Sequence, residues 1–179
     1  MNSREVAPAG ETCGHMLSSV GAAEVVPAPL SEGANYNFGV LRCTPFLLFD
    51  GNCAEAMTFY HRCLGGELTL TRLGESQMRD QLPLEKHERI INAHLESGDI
   101  EISATDWMAA PDFMPVQGNM CALFVVGEGK DELNAVFDKL AEGADRERFQ
   151  DLHDLPIGTY GQFSDRFGVH WIFLNSRTD

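Results

Sequence analysis

The stretch FLLFDGNCAEAMTFYHRCLGG, residues 46–66, changes its hydrophobic period once and stops once. Phe46-Leu47-Leu48-Phe49 is a short apolar run ended by the turn signal Asp50-Gly51-Asn52, and it predicts a buried strand. From Cys53 to Leu64 the apolar residues Ala56, Met57, Tyr60, Cys63 and Leu64 fall on one helical face, and Gly65-Gly66 closes the helix. Strand, turn, helix and glycine stop thus follow one another within one short run.

Downstream, Glu67 to Leu73 alternates as a strand. Gly74 to His87, a polar excursion interrupted by Pro83, has the length of a lid. Arg89–Glu96 and Ile100–Thr105 form a hairpin across Ser97-Gly98-Asp99. Ile91, Ala93, Leu95, Ile100, Ile102 and Ala104 are expected on its core face, with Asn92, His94, Glu101, Ser103 and Thr105 on the other. The first unit is therefore βαβββ over 44–106.

Trp107 to Gly118, with Pro111 and Pro115, reads as a linker, after which the order repeats over 119–175. Met120–Val126 predicts a strand and Asp131–Glu142 a helix closed by Gly143; strands are expected at Asp145–Leu152, Thr159–Ser164 and Val169–Asn175. Shifting the first half by 77 positions lays Phe46 on Leu123, Glu55 on Glu132, Tyr60 on Phe137 and Gly66 on Gly143, an internal duplication. The expected class is α+β: tandem βαβββ modules with curved mixed sheets around a cavity, one domain over 41–177. Residues 1–40, rich in Ala, Gly, Pro, Ser and Glu, read as a flexible tail, with a short strand near Asn37–Cys43 as an option.

The charge of −14, from 27 acidic and 13 basic residues, argues against nucleic acid and anionic membranes as partners. No run reaches the roughly 18 apolar residues of a membrane span, and no signal or transit peptide is recognisable. Five cysteines without a C-x-x-C pair fit a reducing cytoplasm, and Cys53 and Cys63 read as small buried hydrophobes.

Phe49 to Tyr60, Leu64-Gly65-Gly66 and Ser164-Asp165-Arg166-Phe167-Gly168-Val169-His170-Trp171 resemble the FDGNCEEAxxFY, FGG and TDPFGxxW stretches of PhnB-like proteins. These belong to the vicinal oxygen chelate superfamily of glyoxalases, bleomycin-resistance proteins and extradiol dioxygenases. The resemblance, over about Cys43 to Asn175, implies two modules enclosing a U-shaped cavity. In the superfamily's metalloenzymes it implies four metal ligands from the first and last strands of each half.

On this chain the first and fifth strands contain no His, and the expected Glu of the last strand is Ile172. Only the fourth strand offers a donor, Glu101 or Ser103, which His94 and His170 could join. A divalent metal is accordingly disfavoured and no other cofactor is expected. The resemblance also brings the label 3-demethylubiquinone 3-methyltransferase, yet no G-x-G-x-x-G unit for a doubly wound cofactor sheet occurs.

The implied cavity is lined by Asn92, His94, Glu101 and Ser103 from the first half and by Gln162, His170 and Ile172 from the second. His94 beside Glu101 has the makings of a general base. Trp171 reads as core, and His15, His61, His87 and His153, assigned to the tail, a helix face or loops, receive no role. Three readings follow: a binder of a small organic ligand; a lyase, isomerase or dioxygenase-like enzyme for a small oxygenated metabolite with an atypical or no metal; or a structural subunit. A homodimer is expected, since superfamily members pair modules across a two-fold axis.

Overall fold

The computed structural model describes residues 43–106, 115–118 and 120–176. The expected tail, most of the option at Asn37–Cys43, Trp107 and most of the linker lie outside these. The first module runs β1 (Phe46–Phe49), α1 (Cys53–Leu64), β2 (Glu67–Arg72), β3 (Ile90–Ser97), β4 (Ile100–Asp106). The second runs β5 (Leu123–Gly127), α2 (Lys130–Leu140), β6 (Phe149–Leu155), β7 (Gly158–Ser164), β8 (His170–Ser176). The sheets have orders β1-β4-β3-β2 and β5-β8-β7-β6, with the first strand of each module parallel to the last and the other pairs antiparallel. The α+β class and the βαβββ modules are therefore as the sequence reads. Among the described residues no helix is long and apolar enough to cross a membrane.

The duplication holds with one correction. β5 and α2 begin at Leu123 and Lys130, each 77 positions after Phe46 and Cys53. In the helices that offset also matches the buried faces, Ala56, Tyr60 and Cys63 answering Leu133, Phe137 and Leu140. In the first strands it does not: Phe46 and Leu48 are exposed, but so are Phe124 and Val126, which match at 78. The cause is the strand-to-helix turn, three residues at 50–52 against two at 128–129. A single residue inverts a strand's faces while leaving a helix start in place.

In each module the last strand holds the helix start. Asp106, 2% exposed, accepts N–H bonds from Gly51 (2.8 Å) and Cys53 (3.0 Å) through Oδ1 and from Ile90 (2.8 Å) through Oδ2. Asn175, with its amide oriented to satisfy its neighbours, accepts from the Lys130 N–H at 3.0 Å and donates to the Gly127 carbonyl at 3.2 Å. Gly66, at φ +81°, lies against the β3 backbone, where a Cβ would stand 2.1 Å from the Glu96 oxygen.

One continuous core serves both modules, with Phe49, Met57, Tyr60, Leu95, Phe137, Phe163, Trp171 and Phe173 buried together. Tyr60 of α1 donates to Asp165 Oδ2 in the β7–β8 turn at 2.8 Å, and Trp171 Nε1 donates to the same oxygen at 2.8 Å. The other oxygen, Oδ1, accepts from Phe167 N–H (2.8 Å) and Val169 N–H (3.0 Å). Above this carboxylate Phe167 packs edge-on against Tyr60, and Arg166 lies 4.1 Å from the Phe59 ring centroid. The FDGN…FY and SDRFG motifs thus join the modules.

Boundaries moved where irregular backbone intervenes. A bulge at Ile91 buries Ile90 instead and leaves Ile91 half-buried, because Thr71 pairs with Asn92 and Arg72 with Ile90. Thr105 Oγ1 donates to the Ile90 and Ile91 carbonyls there. β6 starts at Phe149 rather than Asp145, since Asp145 caps a short 3-10 turn at Arg146–Arg148 by accepting from Glu147 N–H. His153, assigned to a loop by the sequence, consequently lies within β6. The excursion 73–89 makes three 3-10 turns, anchored by buried Leu73 and by Leu73 N–H to Arg89 O and Gly74 N–H to His87 O.

Candidate functional site: two open sheet faces

Each sheet buries one face against the core and leaves the other open, as the alternation of its strands dictates. On the first sheet the register aligns Thr69, His94, Ser103 and Phe46 in one row across β2, β3, β4 and β1. His94 Nδ1 lies 3.2 Å from Ser103 Oγ, and its Nε2 lies 3.9 Å from Glu101 Oε1. His94, Ser103 and Glu101, all expected site residues, thus form one polar cluster. Asn92, on the same strand as His94, is exposed, and Thr105 is engaged by the bulge.

On the second sheet the row is Gln150, Gln162, Ile172 and Phe124. Tyr160 Oη donates to Gln162 Oε1 at 3.1 Å and Gln162 Nε2 to Gln150 Oε1 at 3.1 Å, while Gln150 Nε2 lies 3.4 Å from His153 Nε2. His170 Nδ1 is 3.2 Å from Ser164 Oγ. Gln162, Ser164 and His170 line a cleft of about 570 Å³ with Gly118, Glu147, Arg148, Phe149 and Gln150. Arg148, Gln150, Tyr160 and His153 were missed by sequence reasoning. Correct placement of β6 was the signal needed, because it puts Gln150 opposite Gln162 and His153 opposite Tyr160.

A second cavity, about 900 Å³, runs between the two modules along the edge strands β1 and β5. Its walls are chiefly apolar, including Phe46, Leu47, Ile102, Leu123, Phe124 and Val126, with Glu101 and His170 among the few polar members. Of the seven expected lining residues, Glu101 and His170 line this groove and Gln162 and His170 the cleft; Asn92, His94, Ser103 and Ile172 line neither.

The metal positions implied by the superfamily fall on β1, β4, β5 and β8. Their half-open or open positions here include Phe46 and Leu48; Glu101, Ser103 and Thr105; Phe124 and Val126; and His170, Ile172 and Leu174. β1 and β5 offer no donor, and among the described residues no three His, Cys, Asp or Glu side chains converge. A divalent ion needs three or four such donors, so these residues do not fit the superfamily's metal centre. The buried thiols are equally unsuited to nucleophilic work. Burial, then the Asp106 charge, pushes Cys53 up to about 12, and burial raises Cys63.

Residues 41–174 match the family model described as 3-demethylubiquinone-9 3-methyltransferase, across most of the chain. This chain belongs to the PhnB-like family of the vicinal oxygen chelate superfamily. Protein PA1353 from Pseudomonas aeruginosa is 31% identical to it, with 75% of this chain and 97% of that one covered and a TM-score of 0.64. The Bacillus cereus PhnB protein, titled a putative 3-demethylubiquinone-9 3-methyltransferase, is 24% identical over 75% and 98% of the chains, TM-score 0.58. A glyoxylase/bleomycin resistance protein/dioxygenase domain from Frankia shares the fold at 17% identity over 78% and 100%, TM-score 0.53. No curated protein matches the chain significantly. In this PhnB-like chain the motif residues Tyr60, Asp165 and Trp171 join the two modules.

Proposed function

We propose that this PhnB-like chain binds a small organic ligand between its modules without a divalent metal. The carrying observation is the chemistry of the edge strands: where the superfamily's metalloenzymes place ligands, this chain exposes Phe46, Leu48, Phe124 and Val126. A large concave apolar groove with few polar groups is the usual character of a small-molecule site. The acidic surface keeps nucleic acid off the list of partners, and the cysteines suit a reducing cytoplasm.

A second copy of the chain completes the proposal. Among the described residues β1 and β5 each lack a neighbour on one side, and their exposed Leu48 and Val126 suit pairing across a two-fold axis.

The second reading, a metal-free enzyme for a small oxygenated metabolite, is favoured by one observation, the contact of His94 with Ser103 and its approach to Glu101. There His94 would move a proton and Glu101 would stabilise its charged form. A thermal-shift screen of small organic molecules, run with and without chelator, tests the primary reading. Hits that chelator leaves unchanged are expected; hits that vanish with chelator, or none at all, would sink it.

A further inference from the structure

The polar cleft on the second sheet and the apolar groove between the edge strands are neighbours, since Gly118 and His170 line both. Their chemistries are opposite. The cleft presents Arg148, Gln150, Gln162 and Ser164, and the groove presents Phe46, Ile102, Phe124 and Val126. A ligand that fills both has a polar end and an apolar body.

We infer that the ligand is a monocarboxylic acid with a compact apolar body, its carboxylate in the cleft at Arg148 and the Gln150 and Gln162 amides and its body in the groove at Phe46 and Phe124. The inference rests on the ligand binding proposed above and adds the ligand's chemical class.

The ladder of side chains decides the polar end. Tyr160 donates to the Gln162 amide oxygen and Gln162 to the Gln150 amide oxygen, so both oxygens already accept within the protein. Each amide nitrogen keeps a second hydrogen to give. The Arg148 guanidinium has no protein partner among the described residues, and it supplies donors alone. The capacity left in the cleft is mainly donor capacity, which an acceptor-only carboxylate matches.

Glu147, on the same wall, and the overall charge of −14 select against a dianion such as a phosphate monoester, whose repulsion grows with its charge. In the groove, exposed Phe46 and Phe124 lose water-facing area when an aryl-sized body covers them.

Calorimetric titration of the full chain with 2-naphthylacetate and with the neutral 2-naphthylacetamide tests this. The acid is expected to bind about tenfold tighter than the amide, and Arg148→Ala to reduce that preference to about threefold or less. Phe124→Ser is expected to weaken both by about the same factor, roughly tenfold. Equal binding of acid and amide, or an unchanged preference in Arg148→Ala, overturns the carboxylate assignment and leaves ligand binding standing. If neither compound binds while the thermal-shift screen yields other hits, this inference alone falls; if the screen yields none, the reading beneath it falls too.

Discussion

Tyr60 Oη and Asp165 Oδ2 meet at 2.8 Å, joining the helix of the first module to the β7–β8 turn of the second. Asp165 is 2% exposed and has four donors on its two oxygens. A buried carboxylate so placed is tolerable only while its donors are kept. Tyr60→Phe removes one of them, and we expect a loss of roughly 1–3 kcal/mol by urea unfolding. Asp165→Ala strips four donors of their acceptor and should cost more than Tyr60→Phe. Equal stability of Tyr60→Phe and wild type would remove the bond from the account.

Alkaline pH should unfold the protein through its buried acids. Tyr60 is raised above the ordinary tyrosine range by burial and then by Asp165, and Cys53 from 9.0 to about 12 by burial and then by Asp106. For a group whose folded pKa is raised, the unfolded chain releases its proton first. The stabilisation is complete below the unfolded pKa and lost as pH climbs towards the folded one. Unfolding free energy is therefore expected to fall from about pH 9 upward, by roughly 1.4 kcal/mol per pH unit for each group titrating. A flat profile between pH 9 and 11 would refute this.

The four thiols among the described residues separate into two classes. Cys43 and Cys121 are exposed, while Cys53 and Cys63 are buried in the core face of α1. Maleimide labelling of the folded chain at neutral pH, mapped by peptide mass, should modify Cys43 and Cys121 and spare Cys53 and Cys63. Rapid labelling of Cys53 would mean that α1 is not packed as described.

Much of this fold is legible in the sequence because period and punctuation agree over residues 46–66 and again in the second half. The strand faces were harder. A bulge at Ile91 and a one-residue difference in the strand-to-helix turns each shift a side chain to the opposite face; the bulge has no glycine or proline to announce it, and Gly51 and Gly129 mark the two turns without fixing their lengths. The cluster His94, Ser103 and Glu101 could be anticipated from hairpin alternation, since cross-strand partners follow from the turn. The Gln150 to Gln162 ladder could not, because the 3-10 turn at Arg146–Arg148 moves the start of β6. Asp106 and Asp165 are acidic residues whose burial shows only when their backbone donors are seen.

The proposed pairing of two copies through β1 and β5 has a direct readout. Sedimentation velocity should give twice the 19.8 kDa chain mass, and Leu48→Asp combined with Val126→Asp should return the monomer with its helix and sheet content intact. A wild-type monomer at micromolar concentration would refute the pairing and leave the fold untouched.

The metal-free site is the central claim, and metal content tests it most directly. Protein purified without chelator or metal-affinity tag and analysed by plasma mass spectrometry should carry close to zero equivalents of zinc, nickel, manganese or iron per chain. A value near one equivalent would contradict the account and direct attention to Glu101, His94 and His170 as ligands.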